Sequence, residues 1–274
     1  ENPQVIFYGL VGTGGNMTAD GTGRAVASLF MGVQLQCAQC HDDPYRDWSQ
    51  QEHWALAAFF GRADGDFTKI EIGKGQSTKA GEINISPAAF KNSGTTVMAA
   101  YLRSQAAYQA QQIDDLRVPF ADWLTAPDNR YFARSYVNRL WGYMMGRGLI
   151  EPIDDIRAGN PPTHPELLEK LTSEFLQEGF NVRHILRLIC QSRTYQLSLS
   201  TDQWNSDDSV NYSHATARRL PAEVMFDTIH RATGSRVEFS GQRPGMMAAQ
   251  LVDELCLTVV PRIAGTGIPI IDAA

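Results

Sequence analysis

Two cysteines and a histidine form the most reactive group of side chains in the sequence. Cys37 and Cys40 are separated by two residues, and His41 follows directly. Thiols at this spacing can reach the two vinyl groups on one porphyrin edge, and the adjacent imidazole can ligate the iron. The pentapeptide therefore predicts covalent haem c binding through Cys37, Cys40 and His41, with His41 as the axial iron ligand.

Three other interpretations of the pentapeptide stay open. A redox-active or disulfide-bonded pair needs only the two thiols, although a thioredoxin-like pair is typical of a βαβ context and the flanks here have helical patterns. A structural zinc site needs four ligands, and the remaining cysteines, Cys190 and Cys256, lie far along the chain. Two buried thiols without any special role are the last alternative.

The second axial ligand is less well defined by the sequence. His53 lies on the next predicted helix and is the candidate for the sixth iron ligand, and the alternative is a haem face left open. Met31 is poorly placed because it precedes the motif on the same predicted helix. A lone histidine is more often a surface or core residue than a ligand, so the other histidines are interpreted as ordinary positions.

Charged residues follow the motif directly, at Asp42, Asp43, Arg46 and Asp47. Clustered carboxylates can serve acid–base or metal chemistry, so a hydrolase or metal enzyme is a third hypothesis, and whether the chain is an enzyme stays open. The preferred interpretation is a solvated turn in which Asp47 or Ser49 caps the next helix. Arg46 is a candidate partner for a haem propionate, because a guanidinium fork suits a carboxylate.

Composition limits the classes of protein to which the chain can belong. The chain has 274 residues, of which 43% are hydrophobic and 20% charged, and this balance predicts a packed core. The net charge of −6 argues against a nucleic-acid partner. No apolar run is long enough for a membrane span. The chain starts at Glu1 without a signal peptide, and we interpret it as a processed or excised piece.

The elements predicted around the motif are mostly helical. A glycine-rich loop is predicted over residues 8–23, then an amphipathic helix over residues 24–36 that leads into Cys37. A second helix is predicted over residues 50–60, with Gly61 as its stop. The period then changes, and a small β-hairpin is predicted near residues 67–85, where the isoleucines bracket a loop rich in Gly, Lys and Ser.

The second half, from about residue 113 to 232, has a helical pattern. Phe132, Tyr136, Leu140 and Tyr143 form one apolar stripe. Thr163 and Glu166 predict a capping box ahead of the next helix. Further helices are predicted around Ile185 and after Pro221. The fold class is therefore mainly α, a helical protein in two parts with one small β-hairpin insertion.

Two stretches of the chain resemble a known family. The segment LFMGVQLQCAQCHDDPYRDWSQQEHWALAAFF resembles the CxxCH segment of the planctomycete cytochrome c-like family. The stretches ADWLTAPDNRYFARSYVNRLWGYMMGRGLIEPIDDIRAGNPPTHPELLEKL, ILRLICQSRTYQLS and RRLPAEVMFDTI resemble the uncharacterised domain that follows this segment in the same proteins. The pairing of both segments is more specific than the pentapeptide alone.

The resemblance implies a division of the chain into two parts. Residues 1–95 would be the C-terminal part of a cytochrome c-like CxxCH domain. Residues 113–274 would be the associated helical domain of unknown function, truncated and with an atypical tail from about residue 246. Members often carry a second histidine two residues after the motif histidine, where this chain has Asp43.

The functional hypotheses follow from these implications. The first is a c-type haem electron-transfer module of an exported bacterial protein, located in the periplasm or outside the cell, with an unidentified redox partner. The alternative is a non-catalytic binding or structural module of a surface protein, with a Cys37–Cys40 disulfide or a metal site.

Overall fold

The fold is mostly helical, as predicted. The computed structural model describes residues 18–65, 70–73, 75–77, 79–86, 90–104, 106–109, 115–235, 237–239, 245 and 247–248. Within these residues the α-helices are α1 (Ala19–Val26), α2 (Gln50–Ala57), α3 (Arg117–Leu124), α4 (Tyr131–Met145), α5 (Pro165–Gln177), α6 (Val182–Gln191) and α7 (Ala222–Thr233). The tail from about residue 246 lies almost entirely outside them, and so does the first part of the predicted glycine-rich loop.

The first helix begins earlier and ends earlier than its apolar pattern predicts. Thr18 caps α1 by accepting a hydrogen bond from the Gly21 N–H, so the end of the predicted loop is helical instead. A π-helical turn (Ala27–Met31) follows α1 and stops at Gly32, whose φ is +67°. The prediction of a continuous helix into Cys37 was therefore wrong. Val33 and Leu35 continue the apolar pattern, but they are buried from an extended segment.

The second predicted helix is confirmed. Ser49 caps α2 through a capping box with Glu52, and a 3₁₀ turn (Ala58–Phe60) leads to Gly61. A Cβ at Gly23 would lie 3.3 Å from the Ala57 Cα. Glycine is unfavourable inside a helix, but here it lets α1 and α2 pack at close range. The side chains of α2 that face α1 are thereby fully enclosed.

The β structure lies where it was predicted, but its strands pair differently. β1 (Ala63–Gly65) pairs antiparallel with β2 (Ile70–Ile72), and β3 (Glu82–Asn84) pairs antiparallel with β4 (Thr96–Met98). Two small two-stranded sheets thus replace the one predicted small hairpin, and β1 and β4 lie outside its predicted range of residues 67–85. β2 finds a partner closer in sequence than β3, and a shorter loop lowers the entropy cost of closing it.

The helices of the second half form at the predicted places, with two local differences. Tyr143 is 65% exposed, whereas Phe132 of the predicted stripe is buried and Tyr136 and Leu140 pack against the core. The buried face of α4 also includes Val137 and Trp141, which the predicted stripe did not contain. The predicted Thr163 capping box does not form. Pro165 occupies the first turn of α5, so His164 is the N-cap, and Thr163 donates to the Leu149 carbonyl.

One contiguous apolar core contains residues from both halves of the chain. The π-helical turn packs on α4, α1 packs on α2, and α4 packs on α5 and α6. Met31, Phe60, Trp141 and Phe175 are among the most buried members of this core. The motif segment is therefore positioned partly by the second half. Within the described residues, no helix has both the length and the apolar character needed to cross a lipid bilayer.

Candidate functional site

The CxxCH segment forms a short turn after the extended stretch of residues 33–35. Residues Cys37–Gln39 make one 3₁₀ turn, closed by a hydrogen bond from the Cys40 N–H to the Cys37 carbonyl at 3.4 Å. Ala38 points into the core and is fully buried, whereas Cys37 and Cys40 are half-buried. The burial of Ala38 fixes the turn on the protein surface, so that the cysteines on both sides of it lie at the protein–solvent boundary.

Two side chains of α2 hold this turn from below. Gln50, which is 2% exposed, donates from Nε2 to the carbonyls of Cys40 at 2.9 Å and Lys91 at 2.8 Å. Trp54 donates from Nε1 to the Gln39 carbonyl at 3.0 Å. These partly buried hydrogen bonds restrain the backbone of the cysteine turn. Sequence reasoning did not identify Gln50 as part of the site.

One backbone contact defines the tautomer of the His41 ring. Its side chain is exposed, and Nδ1 lies 2.7 Å from the Asp42 carbonyl oxygen. A carbonyl can only accept a hydrogen bond, so this contact places the ring proton on Nδ1 and leaves the Nε2 lone pair free. Metal-binding histidines are commonly oriented in this way, by donating their other ring N–H to a backbone carbonyl.

The donor groups of the motif fit the anchoring of a haem group. Cys37 and Cys40 are free thiols in the structure, so both sulfur atoms are available for attachment. Among the residues that the structure describes, no three His, Cys, Asp or Glu side chains are grouped so as to hold a metal ion. Within that part of the chain, the motif therefore offers two thiols and one free imidazole nitrogen, rather than a closed four-ligand metal site.

His53 lies in a different environment from His41. It is 2% exposed, between α1 and α2, and its ring meets Trp54 edge-on at 5.5 Å between centroids. Burial lowers the pKa of His53 to about 4, and the nearby Asp20 carboxylate only partly opposes this effect. Neither ring nitrogen has a hydrogen-bond partner within the described residues. His53 as sixth ligand stays a prediction, and it would require the ring to leave this interface.

The charged residues after the motif are less uniform than a solvated turn. Asp42 and Asp47 are exposed, but Asp43 is buried and accepts the backbone N–H groups of Tyr45 and Arg46 at 2.8 and 3.2 Å. This geometry closes the turn around Pro44. The cap of α2 is Ser49, one of the two predicted candidates.

Arg46 ties the motif segment to the second half of the chain. Its Nε donates to Asp155 at 3.1 Å and its Nη2 to Gln34 at 2.7 Å, while Nη1 lies 3.6 Å from the Asp43 carboxylate. Burial opposes the charged guanidinium, but the bond and attraction to Asp155 outweigh it and raise the pKa of Arg46. Arg46 also interacts electrostatically with Cys37. A contact from Arg46 to a haem propionate would have to replace one of these partners.

Three further hydrogen bonds join the motif segment to the second half of the chain. Asp154 accepts hydrogen bonds from Ser28 and Gln34, each at 2.9 Å, and the Ile156 N–H donates to the Gly32 carbonyl at 2.8 Å. The loop of residues 151–160 thereby lies against the segment that enters the motif. Sequence reasoning missed these residues because the contacts join positions more than one hundred residues apart.

Comparison with known proteins agrees with this arrangement of two connected segments. A family model described as PSD1, protein of unknown function (DUF1553), matches residues 116–254, and one described as PSCyt2, protein of unknown function (DUF1549), matches residues 16–64. Both are planctomycete-associated, cytochrome c-related domains of unknown function. No curated protein and no solved structure matches the chain. Since the first match covers half of its length, the chain belongs to the PSD1 family of proteins of unknown function, and it carries a PSCyt2-type segment with the CxxCH motif ahead of the PSD1 region.

Proposed function

We propose that the CxxCH turn is a covalent haem c attachment site and that the chain serves as an electron-transfer module. The observation that carries the proposal is the 2.7 Å contact between His41 Nδ1 and the Asp42 carbonyl, next to two free thiols. A bound haem would supply a one-electron redox centre whose potential depends on its ligands and surroundings. The residues of the chain attach this group and orient it.

Cys37 and Cys40 provide the covalent anchors. Each thiol adds its S–H bond across one vinyl group, so that a C–S bond forms, the hydrogen moves to carbon and no oxidant is consumed. The 3₁₀ turn, held by Gln50 and Trp54, keeps both sulfur atoms on one short surface segment. A prearranged turn lowers the entropy that attachment would otherwise cost.

His41 provides the axial nitrogen. The Asp42 carbonyl holds the ring in the tautomer with the proton on Nδ1, which leaves Nε2 as the only ring nitrogen that can bind iron. Such outer contacts orient a ligating ring and increase its basicity. His53 is the proposed sixth ligand only if the ring moves out from between α1 and α2, and otherwise the opposite haem face stays open.

The proposed compartment is the periplasm or the outside of the cell. Haem attachment to CxxCH motifs takes place outside the cytoplasmic membrane in bacteria, as the cytochrome resemblance implies. Fractionation of the native host, with detection of the chain in each fraction, tests this location.

Expression with the haem-maturation machinery, in the periplasm of a bacterial host, tests the attachment site. The wild-type chain should show a Soret band, and the haem should stay attached after denaturation and acid–acetone extraction. Replacing Cys37 and Cys40 by alanine should abolish covalent attachment. His41→Ala should lower the yield of attached haem and shift the absorption maxima, because the axial nitrogen is lost.

Cys190→Ser is the matched control for the cysteine variants. Cys190 is also a half-buried free thiol, but it lies on α6, outside the motif. Its variant should carry as much haem as the wild type. The proposal fails if wild-type protein from a competent host has no Soret band, or if the Cys37 and Cys40 variants keep covalent haem.

A further inference from the structure

A second polar site lies in a pocket at the start of α4. The pocket has a volume of about 290 Å³ and is lined by Asp128, Arg130, Tyr131, Arg134 and Ile156. Its volume corresponds to about ten water molecules of liquid water, which suits a small metabolite. None of the three motif residues lines it, so the pocket is separate from the proposed haem site.

Arg134 is a cation of this pocket whose side chain has no partner among the described residues. It is half-buried, and within the described residues its side chain makes no hydrogen bond and no ion pair. Its Nε is shut off from solvent, so water cannot satisfy that donor from outside. Partly buried arginines normally pair with a carboxylate, and an unpaired one indicates a ligand that supplies the acceptor.

Two further polar groups of the pocket are also unused. The Asp128 carboxylate and the Tyr131 hydroxyl make no hydrogen bond within the part of the chain that is described, and Asp128 forms no ion pair with Arg134. Arg130 differs, because it is already bound to Glu169 at 2.5 Å and to the Ser173 hydroxyl at 3.1 Å. The pocket therefore presents one available cation, one available anion, one hydroxyl and the apolar wall of Ile156.

The balance of charge defines the class of ligand. Since Glu169 offsets Arg130, the available charges are those of Arg134 and Asp128, which cancel. A doubly charged phosphate would be repelled by Asp128, whereas a single carboxylate can bind the Arg134 fork in a bidentate manner. Asp128 can in turn accept a hydrogen bond from a hydroxyl or ammonium group on the same molecule.

We infer that this pocket binds a small carboxylate that also carries a hydrogen-bond donor, of the α-hydroxy or α-amino acid class. Arg134 holds the carboxylate, Tyr131 donates a further hydrogen bond to it, and Asp128 accepts from the donor group. Ile156 packs against the apolar part of the ligand. Because Ile156 also bonds to Gly32 through its backbone, ligand binding would brace the loop that lies against the motif segment.

Calorimetric titration of the whole chain tests this inference, with L-lactate and L-leucine as probes. Leucinamide, which lacks the carboxylate, and inorganic phosphate are the comparison ligands. At least one of the two acids should bind in a saturable manner, and both comparison ligands should bind at least tenfold more weakly. Arg134→Gln should weaken binding of the acid about tenfold to a hundredfold, because it removes a charge-assisted hydrogen-bond pair.

One control variant and three contrary results complete the test of this pocket. Arg187→Gln removes an exposed arginine of α6 that does not line the pocket, and it should leave binding unchanged. If Arg134→Gln does not fold by circular dichroism, Tyr131→Phe takes its place, with an expected several-fold loss. Absence of saturable binding by both acids, equal binding of phosphate, or binding that survives Arg134→Gln and Tyr131→Phe overturns the inference. A Cys37→Ala, Cys40→Ala double variant should bind normally, which separates this site from haem attachment.

Discussion

Gln50 is the side chain whose removal should most affect the motif turn. Its Nε2 donates to the carbonyls of Cys40 and Lys91, and its Oε1 accepts from the Asn92 side chain at 3.0 Å. In Gln50→Ala the two close bonds, to the Cys40 and Lys91 carbonyls, are lost at about 1 kcal/mol each, together with a longer contact to the Gln39 carbonyl at 3.3 Å. Lys91 and Asn92 are exposed and can bond to water instead. The free energy of unfolding should therefore fall by about 2 kcal/mol.

Urea unfolding and thiol labelling measure the two consequences of this substitution. The midpoint of unfolding should fall while the slope stays the same, because the surface exposed on unfolding changes little. Cys40 should react faster with a maleimide, located by peptide mass spectrometry, because its carbonyl has lost one of its two contacts. The matched control is Gln51→Ala, which changes the exposed neighbour on α2. If both variants have the same midpoint and the same Cys40 reactivity, the assignment of Gln50 as the support of the turn is wrong.

Two further predictions concern the surroundings of the motif. Burial lowers the pKa of His53 to about 4 in the fold, against about 6.5 in the unfolded chain. As the pH decreases between these two values, the free energy of unfolding should therefore fall by about 1.4 kcal/mol per pH unit. His53→Leu should remove this pH dependence in unfolding titrations. If the stability of His53→Leu depends on pH as strongly as that of the wild type, the assignment of a buried, neutral His53 is wrong. Gly32→Ala should lower the melting temperature more than Gly179→Ala does. Both glycines have a positive φ, but only at Gly32 would the added Cβ clash, at 2.5 Å from Ile156 Cδ1. If both variants lower the melting temperature equally, the loop of residues 151–160 does not limit the space at Gly32.

Local signals predicted the motif and the helix that supports it. The thiols and the imidazole are adjacent in sequence, and α2 carries both an apolar pattern and a stop at Gly61. The same capping pattern occurs at Ser49–Glu52 and at Thr163–Glu166, yet only the first forms a box. Pro165 decides the difference, because its ring suits the first helical turn and moves the N-cap to His164.

Contacts between distant segments could not be predicted in the same way. The apolar pattern does not reveal the end of the helical turn at Gly32. Val33 and Leu35 after it are also buried, although they lie in an extended segment. The helical turn ends at Gly32 because this residue has a left-handed backbone conformation, and Ile156 and Ser135 leave no room for a side chain there. The bonds of Arg46 to Asp155 depend likewise on how the loop of residues 151–160 folds back. Periodicity reports which residues are buried, but it does not report which segment buries them.

The intact mass of the denatured protein tests the central claim most directly. The chain should be purified from the periplasm of a host with haem-maturation machinery, denatured, reduced and treated with an alkylating reagent. The account predicts a mass increased by one haem, with Cys190 and Cys256 alkylated and with Cys37 and Cys40 unreactive, because thioethers do not exchange with thiols. A chain without the added mass, in which Cys37 and Cys40 become alkylated only after reduction, would contradict haem attachment and support the disulfide-bonded binding module instead.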